Sequence, residues 1–175
     1  ELQEFQPLLD GDIAPIAMFA AVNTTTNDEL RGYLAVPPNY KILFMQGGAE
    51  LVWASIAYNL FLNGEGNTKK AAYITLDREA KELEEAGKAV RHDNIVRGGA
   101  SILLADKTVD YLYSYFCMND IENCCYTTAL KDDNSTLKVA DCSSVLGLHP
   151  IDISQYSIVF GSAEHSIGIT GCTIV

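Results

Sequence analysis

Between Tyr40 and Val90 the apolar residues change period repeatedly, and that alternation most limits what this chain can fold into. Tyr40–Met45 is a compact apolar run after a turn and reads as a buried strand. Gln46-Gly-Gly-Ala49 follows, and Glu50–Leu62 continues as an apolar helical segment. Asn63-Gly-Glu-Gly-Asn67 has turn composition, and Ala71–Thr75 is strand-like. Leu76, Ala80, Leu83, Ala86 and Val90 then fall on one helical stripe over 77–90. On the opposite side Lys81 with Glu85 and Glu84 with Lys88 form i,i+4 pairs. Strand, helix, strand, helix, then further strands predicts a three-layer α/β/α domain around a mostly parallel sheet.

The remaining elements fit that frame. Residues 1–12 are acidic and aperiodic and read as an N-terminal arm, leaving 13–175 as one domain. Ala14–Val22 is helix-compatible. The capping residues of Asn23–Asp28 predict a break, and Asp28–Ala35 a second short helix, stopped by Pro37-Pro38. Asn94–Arg97, Tyr111–Cys117, Asn123–Thr128, Leu137–Ala140, Ser157–Gly161 and Gly171–Val175 read as strands, and Lys131–Ser135 as a polar loop. Trp53 and Tyr58 on the apolar helix are expected in the core. Tyr111, Tyr113 and Tyr115 alternate as one strand face should.

Composition narrows function mainly by exclusion. The net charge of −11 argues against a nucleic-acid backbone or an anionic membrane as partner. No apolar run approaches the roughly 18 residues that a spanning helix needs. The five cysteines, Cys117, Cys124, Cys125, Cys142 and Cys172, are odd in number and irregular in spacing, so reduced, mostly buried thiols are expected rather than a disulfide framework. Cys124 and Cys125, adjacent in a strand-like run, should face opposite ways. No short-spaced Cys/His set suggests zinc. The sequons at Asn23 and Asn134 are discounted, since thiols of this kind point to an intracellular protein.

Five ordered segments carry a resemblance. They are Leu34-Ala-Val-Pro-Pro-Asn-Tyr-Lys-Ile-Leu-Phe-Met-Gln-Gly-Gly48, the Ala/Glu/Lys-rich 81–88, Tyr115-Phe-Cys-Met-Asn-Asp120, Val139-Ala-Asp-Cys-Ser-Ser144 with Pro150-Ile-Asp-Ile-Ser154, and the strand ending in Gly161-Ser-Ala-Glu-His-Ser-Ile-Gly168. Together, over about 29–175, they resemble the phosphoserine aminotransferase family. The resemblance implies the large domain of a pyridoxal phosphate (PLP) enzyme of type I aminotransferase fold, truncated and without the small C-terminal domain. It also implies a homodimer, active sites at the dimer face, and amino transfer between glutamate and 3-phosphohydroxypyruvate in serine biosynthesis. Cytosol and plastid both remain open as compartment.

The site residues are where the likeness fails. The family's strand leads into Gly-Ala-Gln-Lys-Asn, whose Lys holds PLP as a Schiff base. Here Glu164 stands at the Gln and His165 at the Lys, and an imidazole forms no stable imine with an aldehyde. Glu79 falls at the family's ring-stacking Trp, Ile121 near its Thr, and Ala14-Pro15 at its His-Arg pair. After Gly47-Gly48, Ala49 and Glu50 replace a third Gly and a polar or basic residue, and a carboxylate there repels a phosphate. Asp141 matches the Asp that pairs with the pyridine nitrogen, with Ser143 or Ser144 as its expected partners. The plainer reading is that Asp141 survives as a strand-end or loop-capping residue.

Gly47, Gly48, Asp141 and Ser143 are therefore expected to be vestigial cofactor positions, with no catalytic residue, no cofactor and no metal. The expected function is a catalytically inactive, aminotransferase-like structural or interaction subunit. Partner chains, or a second copy, would cover its apolar dimer face. The alternatives are a working transaminase or a piece of one, and a remodelled pocket for another small molecule. For His92, His149 and His165 a surface or locally bonded role is the plain reading.

Overall fold

The computed structural model describes residues 14–62, 70–74, 95–97, 111–120, 125–126 and 135–175. They divide into two compact units, one ending at Ile42 and one running Leu43–Val175. The first unit holds one unbroken helix, α1 (Ala14–Tyr33), in place of the two helices expected. Thr24 and Thr26 turn their hydroxyls onto the carbonyls of Ala20 and Val22, at 2.9 and 2.8 Å. Hydroxyls that would compete with the backbone are thus absorbed inside the helix, and the break does not form. Ala35, at φ 50°, ends that stretch. Arg31 then donates to the carbonyls of Pro37 and Tyr40, each at 3.0 Å.

The second unit is built on strands β1 (Phe44–Gln46), β2 (Lys70–Ile74), β3 (Ile95–Arg97), β4 (Tyr111–Cys117), β5 (Asn119–Asp120), β6 (Cys125–Tyr126), β7 (Ser135–Asp141), β8 (Ile158–Ser162) and β9 (Cys172–Ile174). Helix α2 spans Ala49–Leu62. Among the described residues one sheet runs β1-β9-β8-β7-β4-β2-β3, and β5 pairs β6 separately. The run from β8 through β7, β4 and β2 to β3 is parallel, and β9 joins β8 and β1 antiparallel. The mostly parallel α/β reading therefore holds. One expectation does not. The buried strand at Tyr40–Met45 is instead a short edge strand at Phe44–Gln46, where Leu43 and Phe44 are exposed, because an edge strand has a neighbour on one side only.

Parallel register explains the core. Tyr73 lies opposite Tyr115, and Tyr115 opposite Val139, so these side chains share one face. Val52, Trp53, Ile56 and Ala57 of α2 pack on that face, against Ala71, Tyr73, Tyr113, Tyr115, Val139 and Phe160. Ala72, Ser114, Phe116 and Ala140, on the other face, are buried as well. A sheet dry on both sides is a middle layer, which is why β4 and β7 carry so few charges. Tyr58, expected in the core, is 56 % exposed, because α2 turns its Trp53–Ile56 side to the sheet. The expected helix 77–90, the turn 63–67 and Cys124 lie outside the described residues. Among the described residues no helix is long and apolar enough to cross a membrane, and no group of His, Cys, Asp and Glu is arranged to hold a metal.

Candidate functional site

In open α/β sheets, ligands sit at the carboxyl ends of the strands. In this chain β7 ends on Asp141 and β8 on Ser162, and the first turn of α2 faces them across a cleft of about 450 Å³. Gly47 and Gly48 form the turn that feeds α2. Gly47 adopts φ 90°, a conformation open to glycine. Its N–H donates to Gly171 O at 3.0 Å, and its carbonyl accepts from Thr173 Oγ1 at 2.8 Å. The turn is thereby tied to β9 and to the Thr170–Gly171 wall of the cleft.

Asp141 is 2 % exposed and forms the floor. Its Oδ1 accepts from the backbone N–H and the hydroxyl of Ser143, at 3.0 and 2.6 Å. Its Oδ2 accepts from Tyr115 Oη at 2.8 Å and from the indole Nε1 of Trp53 at 3.1 Å. The expected seryl partner is thus Ser143. The two core donors were not legible as partners, although Trp53 is the chain's one tryptophan and Tyr115 lies two residues before the strand position opposite Asp141. The Ser143 hydroxyl also accepts from Ser162 N, at 3.3 Å.

Ser162 was not singled out in the sequence, and it is the open polar group of the wall. Its Oγ is buried with no hydrogen-bond partner among the described residues. Beside it, Gly161 meets the Cys142–Leu146 turn so closely that a Cβ would lie 2.8 Å from Leu146 Cδ2. Burial, and then the Asp141 carboxylate, push the Cys142 thiol far above its ordinary range, so it is a poor nucleophile.

The rim is acidic. Glu50, in the first turn of α2, and Glu164, in the turn Ala163–His165 that follows β8, are both exposed and both line the cleft. The Glu50 carboxylate folds back over Gly48, with Oε2 only 2.5 Å from where a Gly48 Cβ would stand. The lining also includes Ala49, Ser144 and Thr170, and among the described residues no lining residue is basic. His165 closes the short turn after β8. Ala14 and Pro15 open α1 in the other unit. Glu79 and Ile121 lie outside the described residues. The structure thus gathers Gly47, Gly48, Glu50, Asp141, Ser143 and Glu164 around one cleft.

No family model matches the chain. By sequence it is 33 % identical over 172 residues to the phosphoserine aminotransferase of Aromatoleum aromaticum, covering 90 % of this chain and 46 % of that protein. The Coxiella burnetii (strain Dugway 5J108-111) phosphoserine aminotransferase is also 33 % identical, over 165 residues, with 90 % and 44 % covered. Among solved structures, the phosphoserine aminotransferase of Bacillus circulans subsp. alkalophilus matches with a TM-score of 0.74 at 23 % identity, over 90 % of this chain and 45 % of that one. A PLP-bound phosphoserine aminotransferase from Trichomonas vaginalis matches with a TM-score of 0.67 at 22 % identity, over 85 % and 43 %. The chain spans about half the length of the relatives it matches. In sequence and in fold, it resembles the large-domain portion of phosphoserine aminotransferase.

Proposed function

We propose that this chain is a phosphoserine-aminotransferase-like domain that does not itself run amino transfer and serves as a structural or interaction unit. The observation that carries the reading is an acidic cleft with no basic lining residue among the described residues, at the place where strand ends and a helix N-terminus converge. These residues do not fit PLP at its phosphate end. A helix N-terminus attracts an anion, but here the first-turn carboxylate of Glu50 occupies that ground. A second anion about 4 Å from Glu50 meets a repulsion of roughly 1–4 kcal/mol. Glu164 and His165, at the family's Gln and Lys positions, add a further charge and remove the amine.

The interaction half rests on exposed apolar surface. Leu51 and Tyr58 stand on the outer side of α2, two turns apart, at 44 and 56 % exposure. A protein partner, either a second copy or another chain, would bury them. The 33 % identity to the Aromatoleum aromaticum protein favours the second reading, an active phosphoserine aminotransferase or a piece of one.

The test is capture. Purified protein is incubated with PLP and reduced with borohydride, and its intact mass is read beside a His165→Lys variant. The expected result is no stoichiometric adduct on the natural chain. A single-site adduct on one natural lysine overturns the inactive reading. Sedimentation checks the second half, where a stable monomer at low concentration counts against an interaction role.

A further inference from the structure

We infer that Asp141 in this chain is a structural post that locks α2 to the sheet, and that its acceptor capacity is closed to any ring N–H entering the cleft. The inference rests on the inactive reading above and deepens it at a different part of the cleft. A carboxylate offers two oxygens with about four lone-pair sites. Here four donors occupy them: Ser143 N and Ser143 Oγ on Oδ1, Tyr115 Oη and Trp53 Nε1 on Oδ2.

The donors come from different parts of the fold, and that makes the carboxylate a tie. Trp53 belongs to α2, Tyr115 to β4, and Ser143 to the turn after β7. Trp53 and Tyr115 are themselves 6 and 0 % exposed, so neither swings away without opening the core. Both point at the same oxygen. A ligand N–H seeking Oδ2 must therefore displace a buried donor, which then stays unpaired in an apolar setting. The open polar atom of the wall is instead Ser162 Oγ, which is buried and without a partner among the described residues.

A ligand-anchoring carboxylate and a structural post respond oppositely to neutralisation. A buried charge held ready for a ligand costs stability in the ligand-free protein, so removing it is neutral or stabilising. A saturated post loses acceptors: the amide of Asp141→Asn turns an NH₂ toward two of the four donors. The full chain and its variants are compared by urea unfolding without ligand. Asp141→Asn is expected to lower the folded-to-unfolded ratio at least about 10-fold, since each bond to a charged group is worth roughly a factor of 10 or more. Trp53→Phe removes one donor and keeps an aromatic ring, so it serves if Asp141→Asn does not fold, and its expected loss is again about 10-fold. An unchanged or raised stability in either variant overturns the inference.

Binding supplies the second readout. Pyridoxine, which has the ring nitrogen but neither phosphate nor aldehyde, is the probe in equilibrium dialysis. The expected result is no saturable binding by the natural chain. Saturable binding lost in Asp141→Asn overturns the inference, whatever the borohydride capture on lysine shows. An adduct on lysine without pyridoxine binding breaks the inactive reading and leaves the post intact.

Discussion

Gly161→Ala tests whether the strand end that carries Ser162 is packed as tightly as described. The added methyl would stand 2.8 Å from Leu146 Cδ2, 3.1 Å from Leu146 Cβ and 3.3 Å from the carbonyl carbon of Cys142. Normal carbon–carbon contact begins near 3.5 Å. Two of the three contacts are with a side chain that is itself only 3 % exposed, and the third is with backbone, so no flexible group yields cheaply. Overpacking of this kind costs about 1–3 kcal/mol. For a chain of 175 residues each kcal/mol moves Tm by about 2–4 °C. The expected fall is then about 2–12 °C, read by circular dichroism at fixed protein concentration. Leu146→Ala alone should cost about 2–5 kcal/mol as a buried Leu→Ala change. In the double variant the methyl enters the space that Leu146 leaves, so the combined loss should be at least about 0.5 kcal/mol smaller than the sum. A neutral Gly161→Ala, or strict additivity, would refute the packing argument.

Other outcomes follow from the same structure. Ser162→Ala removes a buried hydroxyl without a partner among the described residues, so stability should rise by up to about 1–3 kcal/mol in urea, and a clear loss would show that the hydroxyl is used. Tyr73 and Tyr113 share a buried 2.6 Å hydroxyl contact, and burial pushes Tyr73 up to about 12 and Tyr113 higher still. The folded state keeps these protons above the ordinary tyrosine value while the unfolded chain releases them. The Tyr73 contribution to stability should therefore be flat below pH 10 and fall by about 1.4 kcal/mol per pH unit between pH 10 and 12, and the raised Cys142 thiol adds a loss of the same sign that begins near pH 9. A urea midpoint that does not move between pH 9 and 11.5 would contradict this. Glu50→Gln removes the first-turn anion of α2, so inorganic phosphate, without effect on the natural chain, should raise the Tm of the variant. In α1, Thr24→Ala with Thr26→Ala should add about 0.5 kcal/mol per site through helix propensity, visible as higher Tm, because their hydroxyls bond only to their own helix.

How much of this was legible depended on which interactions are local. The sheet was readable because β4 and β7 are buried on both faces, and the alternation Tyr111, Tyr113, Tyr115 marks the side that meets α2 or the core. The Gly47-Gly48 turn and the Asp141–Ser143 bonds were readable too, since each is settled by residues one or two apart. Three features were not. The Asn23–Asp28 stretch carries capping residues, yet whether a Thr hydroxyl caps a new helix or bonds back into the old one is decided by its rotamer. Trp53 reads as core from its neighbours, and nothing local says that its indole N–H ends 3.1 Å from a carboxylate 88 positions away. Tyr40–Met45 reads as buried because it is apolar, whereas position at a sheet edge is a property of topology, and among the described residues β1 pairs β9 alone.

Whether the cleft runs amino transfer is read most directly from the reaction itself. Purified protein is supplied with PLP, 3-phosphohydroxypyruvate and ¹⁵N-labelled glutamate, and phosphoserine is followed by NMR against PLP without protein. Phosphoserine should form no faster than in the protein-free control, for both the natural chain and Asp141→Asn. Many turnovers per chain, present with the natural protein and lost in Asp141→Asn, would contradict both the inactive reading and the structural role of Asp141.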